Sequence, residues 1–117
     1  MNYIEFDVDG IGHFKVKESL SIIEEMQLEN RIDDILDGKY YELRARAENI
    51  SSKSEAIAEQ IYTQLFIVQI IASLEMLIVE KPESIKSIRD LTAYDTLLKI
   101  WEAYKKKAAP VENEKKS

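Results

Sequence analysis

A chain of 117 residues, 32% charged and 45% hydrophobic, is long enough for one modest core and too balanced in composition to be disordered as a whole. Its net charge of −6 is unevenly spread: the last thirteen residues hold five Lys against two Glu, or +3, which leaves −9 on residues 1–104. So negative a body repels phosphate backbones, which argues against nucleic acid as a partner. The absence of cysteine excludes disulfides and cysteine-based zinc sites and fits a reducing cytoplasm.

The N-terminus has no basic region leading into an apolar run, so no signal peptide is expected. Residues 3–17 alternate at period two: Ile4, Phe6, Val8, Phe14 and Val16 point one way, and Glu5, Asp7, His13, Lys15 and Lys17 the other. Asp9-Gly10-Ile11-Gly12 supplies the reversal, which predicts a β-hairpin whose apolar side needs a cover. Ser21-Ile22-Ile23-Glu24 matches a capping box and opens a helix. Its apolar positions Ile22, Ile23, Met26, Ile32, Ile35 and Leu36 are expected largely on one face, and Gly38 is expected to stop it. A further short helix is expected at Tyr40 to Glu48. Ser52-Lys53-Ser54-Glu55 gives a second capping box, and the following helix is expected to run to Lys81-Pro82, where proline ends it. A short helical or turn segment carries Ile85, Ile88 and Leu91. The last helix places Tyr94, Leu97, Leu98, Trp101 and Tyr104 on an amphipathic stripe. The fold class is therefore mainly α: one helical domain over 1–107, of about four helices after an N-terminal hairpin, with a disordered charged tail at 108–117.

The segment Leu65 to Val79, LFIVQIIASLEMLIV, sets this chain apart. Eleven of its fifteen residues are large and apolar, and they occupy every face of the helix at about 61–79. Burial contributes about 1.5–3 kcal/mol for each such side chain, so the segment must be covered. A membrane span is disfavoured by length and by Gln69 and Glu75 within the run. A central core helix and a helix shared between core and partner remain.

Catalytic and metal chemistry have little support. His13 is the single histidine and falls on the polar side of the hairpin. Asp33, Asp34 and Asp37 read as a solvated helix face. Asp33-x-Ile35-x-Asp37-Gly38 fails the calcium-loop pattern at its third position, and Glu5-x-Asp7-x-Asp9-Gly10 puts Val16 where the bidentate glutamate belongs. There is no phosphate-binding glycine loop, nucleophile elbow or HExxH. No enzyme activity, cofactor or metal is expected.

The layout carries a resemblance. A strand pair leads into helices, an Ile/Leu-rich central helix ends at Lys81-Pro82-Glu83-Ser84, and the chain closes on Leu97-Leu98-Lys99-Ile100-Trp101-Glu102-Ala103-Tyr104 and a lysine-rich end. This resembles the tail assembly chaperones of long-tailed bacteriophages and prophages, most specifically in the closing LLxIWEAY-like run. The resemblance implies a helper in the bacterial host cytoplasm, absent from the mature virion. Such a helper binds the tape measure protein, keeps its apolar helices soluble and assists assembly of the tail tube protein. A homo-oligomer is compatible with it. Helix-in-groove recognition would then use Ile67, Ile70, Ile71 and Leu74 of the central helix, and Leu97, Trp101 and Tyr104 of the last, each weighed against a plain core role. An acidic secretion-type chaperone or adaptor, and a structural subunit of an assembled particle, stay open beside it.

Overall fold

A computed structural model describes residues 2–108. Its elements are β1 (Tyr3–Val8), β2 (Gly12–Lys17), α1 (Ile22–Ile35), α2 (Tyr40–Ile50), α3 (Glu55–Leu77), β3 (Ile78–Glu80) and α4 (Tyr94–Ala108), with a 3-10 turn at Ile88–Asp90. The protein is mostly helical, with a small antiparallel sheet of three strands where two are expected. Apart from Ala108, which ends α4, the expected tail lies outside the described residues. The chain forms two compact units: residues up to Ser21 together with those from Leu74 onward, and Ile22–Ser73.

The first unit is built on the sheet, in strand order β1-β2-β3. β1 and β2 pair in the register Ile4↔Val16, Glu5↔Lys15, Phe6↔Phe14 and Asp7↔His13, which puts the apolar set on one face. The Ile11 N–H donates to the Val8 carbonyl at 2.9 Å, and Gly10 takes φ +78° at the third turn position, where a side chain would be strained. The Phe6 and Phe14 rings stack at 5.5 Å, and α4 packs on β1. Phe14, Val16, Leu74 and Ile100 are fully buried in this unit, with Phe6, Val8, Leu77, Ile85, Ile88 and Leu97 nearly so. The buried positions of α4 are Leu97 and Ile100, whereas Tyr94, expected on the inner stripe, is exposed.

The third strand corrects the expected run of the central helix to Lys81-Pro82. α3 stops at Leu77, and Ile78–Glu80 pair with β2 as Lys15↔Glu80 and Val16↔Ile78. Two steps on β3 match one on β2, so Val79 is the extra residue of a bulge. Two causes favour the switch. Proline biases the residue before it toward extended backbone, and β-branched Ile78 and Val79 fit a pleated edge well.

The second unit is a helical layer closed by α3. Ala58, Ile61, Leu65, Val68 and Ala72 recur at i, i+3, i+7, i+10 and i+14 and are all buried. Val68 and Ala72 pack with Ile32, Leu28, Ile35 and Leu36, while Ile61 and Leu65 pack with Ala47, Leu36, Tyr40 and Leu43. α1 ends in a Schellman motif: Gly38 N–H donates to the Asp33 carbonyl at 2.8 Å and Asp37 N–H to that of Asp34 at 3.2 Å, with Asp37 at φ +55°. The Asp33 side chain then accepts the Tyr40 N–H at 3.1 Å, capping α2 from the end of α1. Asp33→Ala is expected to cost about 1 kcal/mol, read as a lower denaturant midpoint, and Asp33→Asn to retain most of that stability. The cap of α3 is Ser54, not Ser52: its hydroxyl accepts the Ile57 N–H at 3.4 Å, and the helix starts at Glu55.

Candidate functional site

With 23 residues, α3 is long and apolar enough to cross a membrane by length and composition, a property shared by core helices. Length therefore does not exclude a span, although two buried stripes already use much of its apolar surface. Ile70, Leu74 and Leu77 form the second stripe. Of the candidate contact residues, Ile70, Leu74 and Leu97 are buried, and Ile67, Ile71, Trp101 and Tyr104 are half-buried. A buried side chain meets a partner only if its unit opens, so the first three form core as the fold stands. Trp101 and Tyr104 lie 5.4 Å apart, and the Tyr104 hydroxyl donates to the Glu18 carbonyl at 2.9 Å. Partial burial raises the pKa of Tyr104, with the charge of Glu18 adding to it.

The exposed apolar surface lies elsewhere, largely on the second unit. Ile22, Ile23 and Met26, on the first two turns of α1, are 78%, 68% and 72% exposed. The expectation of one apolar face on this helix is corrected. At about 100° per residue, Leu28, Ile32, Ile35 and Leu36 share an inward arc and Ile22, Ile23 and Met26 fall on another. In sequence Glu24 and Glu25 lie between Ile23 and Met26. Within the same unit a groove of about 190 Å³ has buried Ile32 and Leu65 in its lining, aromatic Tyr40, Tyr62 and Phe66, and polar Arg44 and Gln69. Phe66 is 52% exposed. The Arg44 guanidinium lies 5.4 Å from the Tyr40 ring centroid and 4.0 Å from Glu29. The Tyr41 hydroxyl donates to Glu29 at 3.0 Å, and that bond raises its pKa. The surface can take an apolar helix or loop and offers its rim both signs of charge.

On the polar side of the hairpin, His13 bridges two carboxylates. Nε2 meets Glu5 Oε1 at 2.9 Å and Nδ1 meets Asp7 Oδ1 at 2.8 Å. A neutral imidazole donates from one nitrogen only, so two acceptors favour the imidazolium. The pKa is raised from 6.5, first by the Glu5 hydrogen bond and then by that to Asp7. In an NMR titration Glu5→Gln is expected to lower the His13 pKa more than Asp7→Asn does. A raised folded pKa has a fixed sign: the contribution to stability is complete below about pH 6.5 and fades as pH rises through the folded value. The calcium-like spacing Glu5-x-Asp7-x-Asp9-Gly10 lies on this strand and its turn, with both strand carboxylates committed to His13. Among the described residues no group of three His, Cys, Asp or Glu is placed to hold a metal ion.

No family model matches the sequence, and comparison with curated proteins and with solved structures gives no match.

Proposed function

We propose that the protein is a binding protein of the phage tail assembly chaperone kind. In that role it shields apolar helices of the tape measure protein in the host cytoplasm and assists tail tube assembly. The observation that carries the reading is the outward apolar arc of α1, where Ile22, Ile23 and Met26 stand free of the helix's inward stripe beside glutamates. An exposed cluster of this kind on an otherwise charged scaffold is the usual mark of an interaction surface. The aromatic groove of the same unit adds a second apolar strip. The closing segment Leu97 to Tyr104 supplies the family resemblance, and within it half-buried Trp101 and Tyr104 stay candidates for contact while buried Leu97 packs inside.

The test is co-expression with the tape measure protein from the same tail gene cluster. Soluble recovery of that protein should rise with the wild-type chain and fall at least tenfold with Ile23→Glu/Met26→Glu. The thermal midpoint should stay nearly unchanged, because exposed substitutions away from caps and cores usually act within about 0.5 kcal/mol. Failure of the wild-type chain to solubilise any tail gene product would sink the reading. Its presence in purified virions by mass spectrometry would favour a structural subunit instead.

A further inference from the structure

We propose that the outer edge of β1 is a docking site for an extended segment of a partner protein, one in which basic residues alternate with apolar ones. The site is separate from the helical surface proposed above and does not depend on it.

Backbone phase defines the edge. The Glu18 N–H donates to the Asn2 carbonyl at 2.9 Å, so residue 2 faces β2, and with it Ile4, Phe6 and Val8. Tyr3, Glu5 and Asp7 then direct their N–H and C=O groups outward. β2 is central in the sheet, which leaves β1 and β3 as its two edges. These edges differ. β3 has three residues, a bulge and a following Lys81-Pro82, all features that blunt an edge. β1 has six residues in unbroken register, with no proline, lysine or glycine. Alongside it runs a groove of about 540 Å³ lined by Phe6 and Asp7 of β1 and by Ala103, Lys106 and Lys107 of α4. A strand edge next to a helix-walled groove is the arrangement in which main-chain bonds supply affinity and alternate side chains supply selection.

Charge selects the occupant. Glu5 and Asp7 are exposed on the polar face, each giving one carboxylate oxygen to His13, and β2 already shows what matches them from the other side: Lys15 lies across from Glu5 and His13 across from Asp7. Phe14 and Val16 oppose Phe6 and Ile4 on the apolar face. Lys106 and Lys107 disfavour basic side chains on the helix side of the groove, so the basic residues of an added strand fall on the Glu5/Asp7 side. A second copy of β1 is disfavoured, because antiparallel pairing would set Glu5 and Asp7 of the two chains on one face, where like charges destabilise.

The test uses a fluorescent peptide with the sequence of residues 12–17, amide-capped at both ends, and the full chain. The peptide should bind, and amide exchange at Tyr3, Glu5 and Asp7 should slow at least tenfold while Ile4, Phe6 and Val8 change little. Replacing both peptide lysines with glutamate should weaken binding at least tenfold. Glu5→Pro removes one outward N–H together with the carboxylate that meets His13, so it should weaken binding more than Glu5→Gln, which keeps the N–H and loses only the charge. A peptide with alternate N-methylated amides gives the same comparison on the unaltered chain. Absence of binding at millimolar peptide, protection at β3 instead of β1, or protection of the three amides in the free protein would each overturn the proposal.

Discussion

Gly12→Ala is expected to lower stability by about 2–6 kcal/mol and the midpoint of thermal unfolding by roughly 10 °C or more. Two independent costs meet at this residue. Its φ of +140° lies where side chains are strained, and a Cβ there would stand 2.6 Å from Cγ and 3.0 Å from Cβ of Pro82. Strain of this kind costs about 1–3 kcal/mol and overpacking a closed contact about 1–3 kcal/mol. Pro82 cannot retreat cheaply, because it follows β3, whose pairing with β2 fixes where the chain leaves the sheet. Gly10 supplies the control. It has φ +78° and nothing within 4 Å of the place a methyl would occupy, so Gly10→Ala bears the backbone cost alone. The two glycines differ in φ, so the contact itself is read from the double variant: Pro82→Ala in the Gly12→Ala background should recover the part of the loss that the Pro82 ring imposes. No recovery in the Gly12→Ala/Pro82→Ala double variant, relative to Pro82→Ala alone, would show that the contact contributes nothing.

That contact marks a boundary of what the sequence can say. The hairpin is legible because period-two alternation and two glycines act locally, and its register follows from which side chains must be inside. The third strand is not legible in the same way. Ile78 and Val79 continue a helical apolar run without a break, and only pairing with β2 and the proline downstream turn them into a strand. The run therefore yields to a tertiary partner that no local window contains. The cap at Ser54 shows the same on a smaller scale. Ser52 and Ser54 are both good capping residues, but Ser52 falls in the turn that closes α2, where the Lys53 and Ser54 N–H groups donate to the Ile50 carbonyl, which leaves Ser54 to cap α3.

The candidate surface is legible in hindsight on α1 and hidden on α3. On α1, helical angles separate Ile22, Ile23 and Met26 from Leu28, Ile32, Ile35 and Leu36, and treating them all as one face conceals the outer arc. On α3 no angular argument helps, because apolar residues occupy every side. Burial of Ile70 and Leu74 with exposure of Tyr62 and Phe66 is decided by packing. Asp33 is the clearest case of a residue whose type suggests solvent and whose position gives it two structural bonds, one from its carbonyl and one from its carboxylate.

Arg89→Ala is expected to cost about 1–3 kcal/mol, the range for removing one partner of a charged hydrogen-bonded pair. Glu75 is the single acid in the apolar run of α3, and its side chain is only 11% exposed. Arg89, on the 3-10 turn, meets it with both arms: Nε donates to Oε2 at 2.7 Å and Nη2 to Oε1 at 2.8 Å. The fork geometry ties the last turn of α3 to the segment leading into α4, within one unit. Removing the arginine withdraws that fork from a carboxylate largely shielded from water, a cost that exceeds what the pair itself contributes. The two can be separated. Glu75→Leu/Arg89→Leu removes both charges and keeps apolar volume, and it should come within about 1 kcal/mol of the wild-type chain or exceed it. Arg89→Lys keeps the charge without the fork and should fall between. Urea unfolding of the four proteins reads the series. If Arg89→Ala and the double variant lose the same stability, Glu75 is solvated well enough without its partner, and the pair acts only as a surface tether.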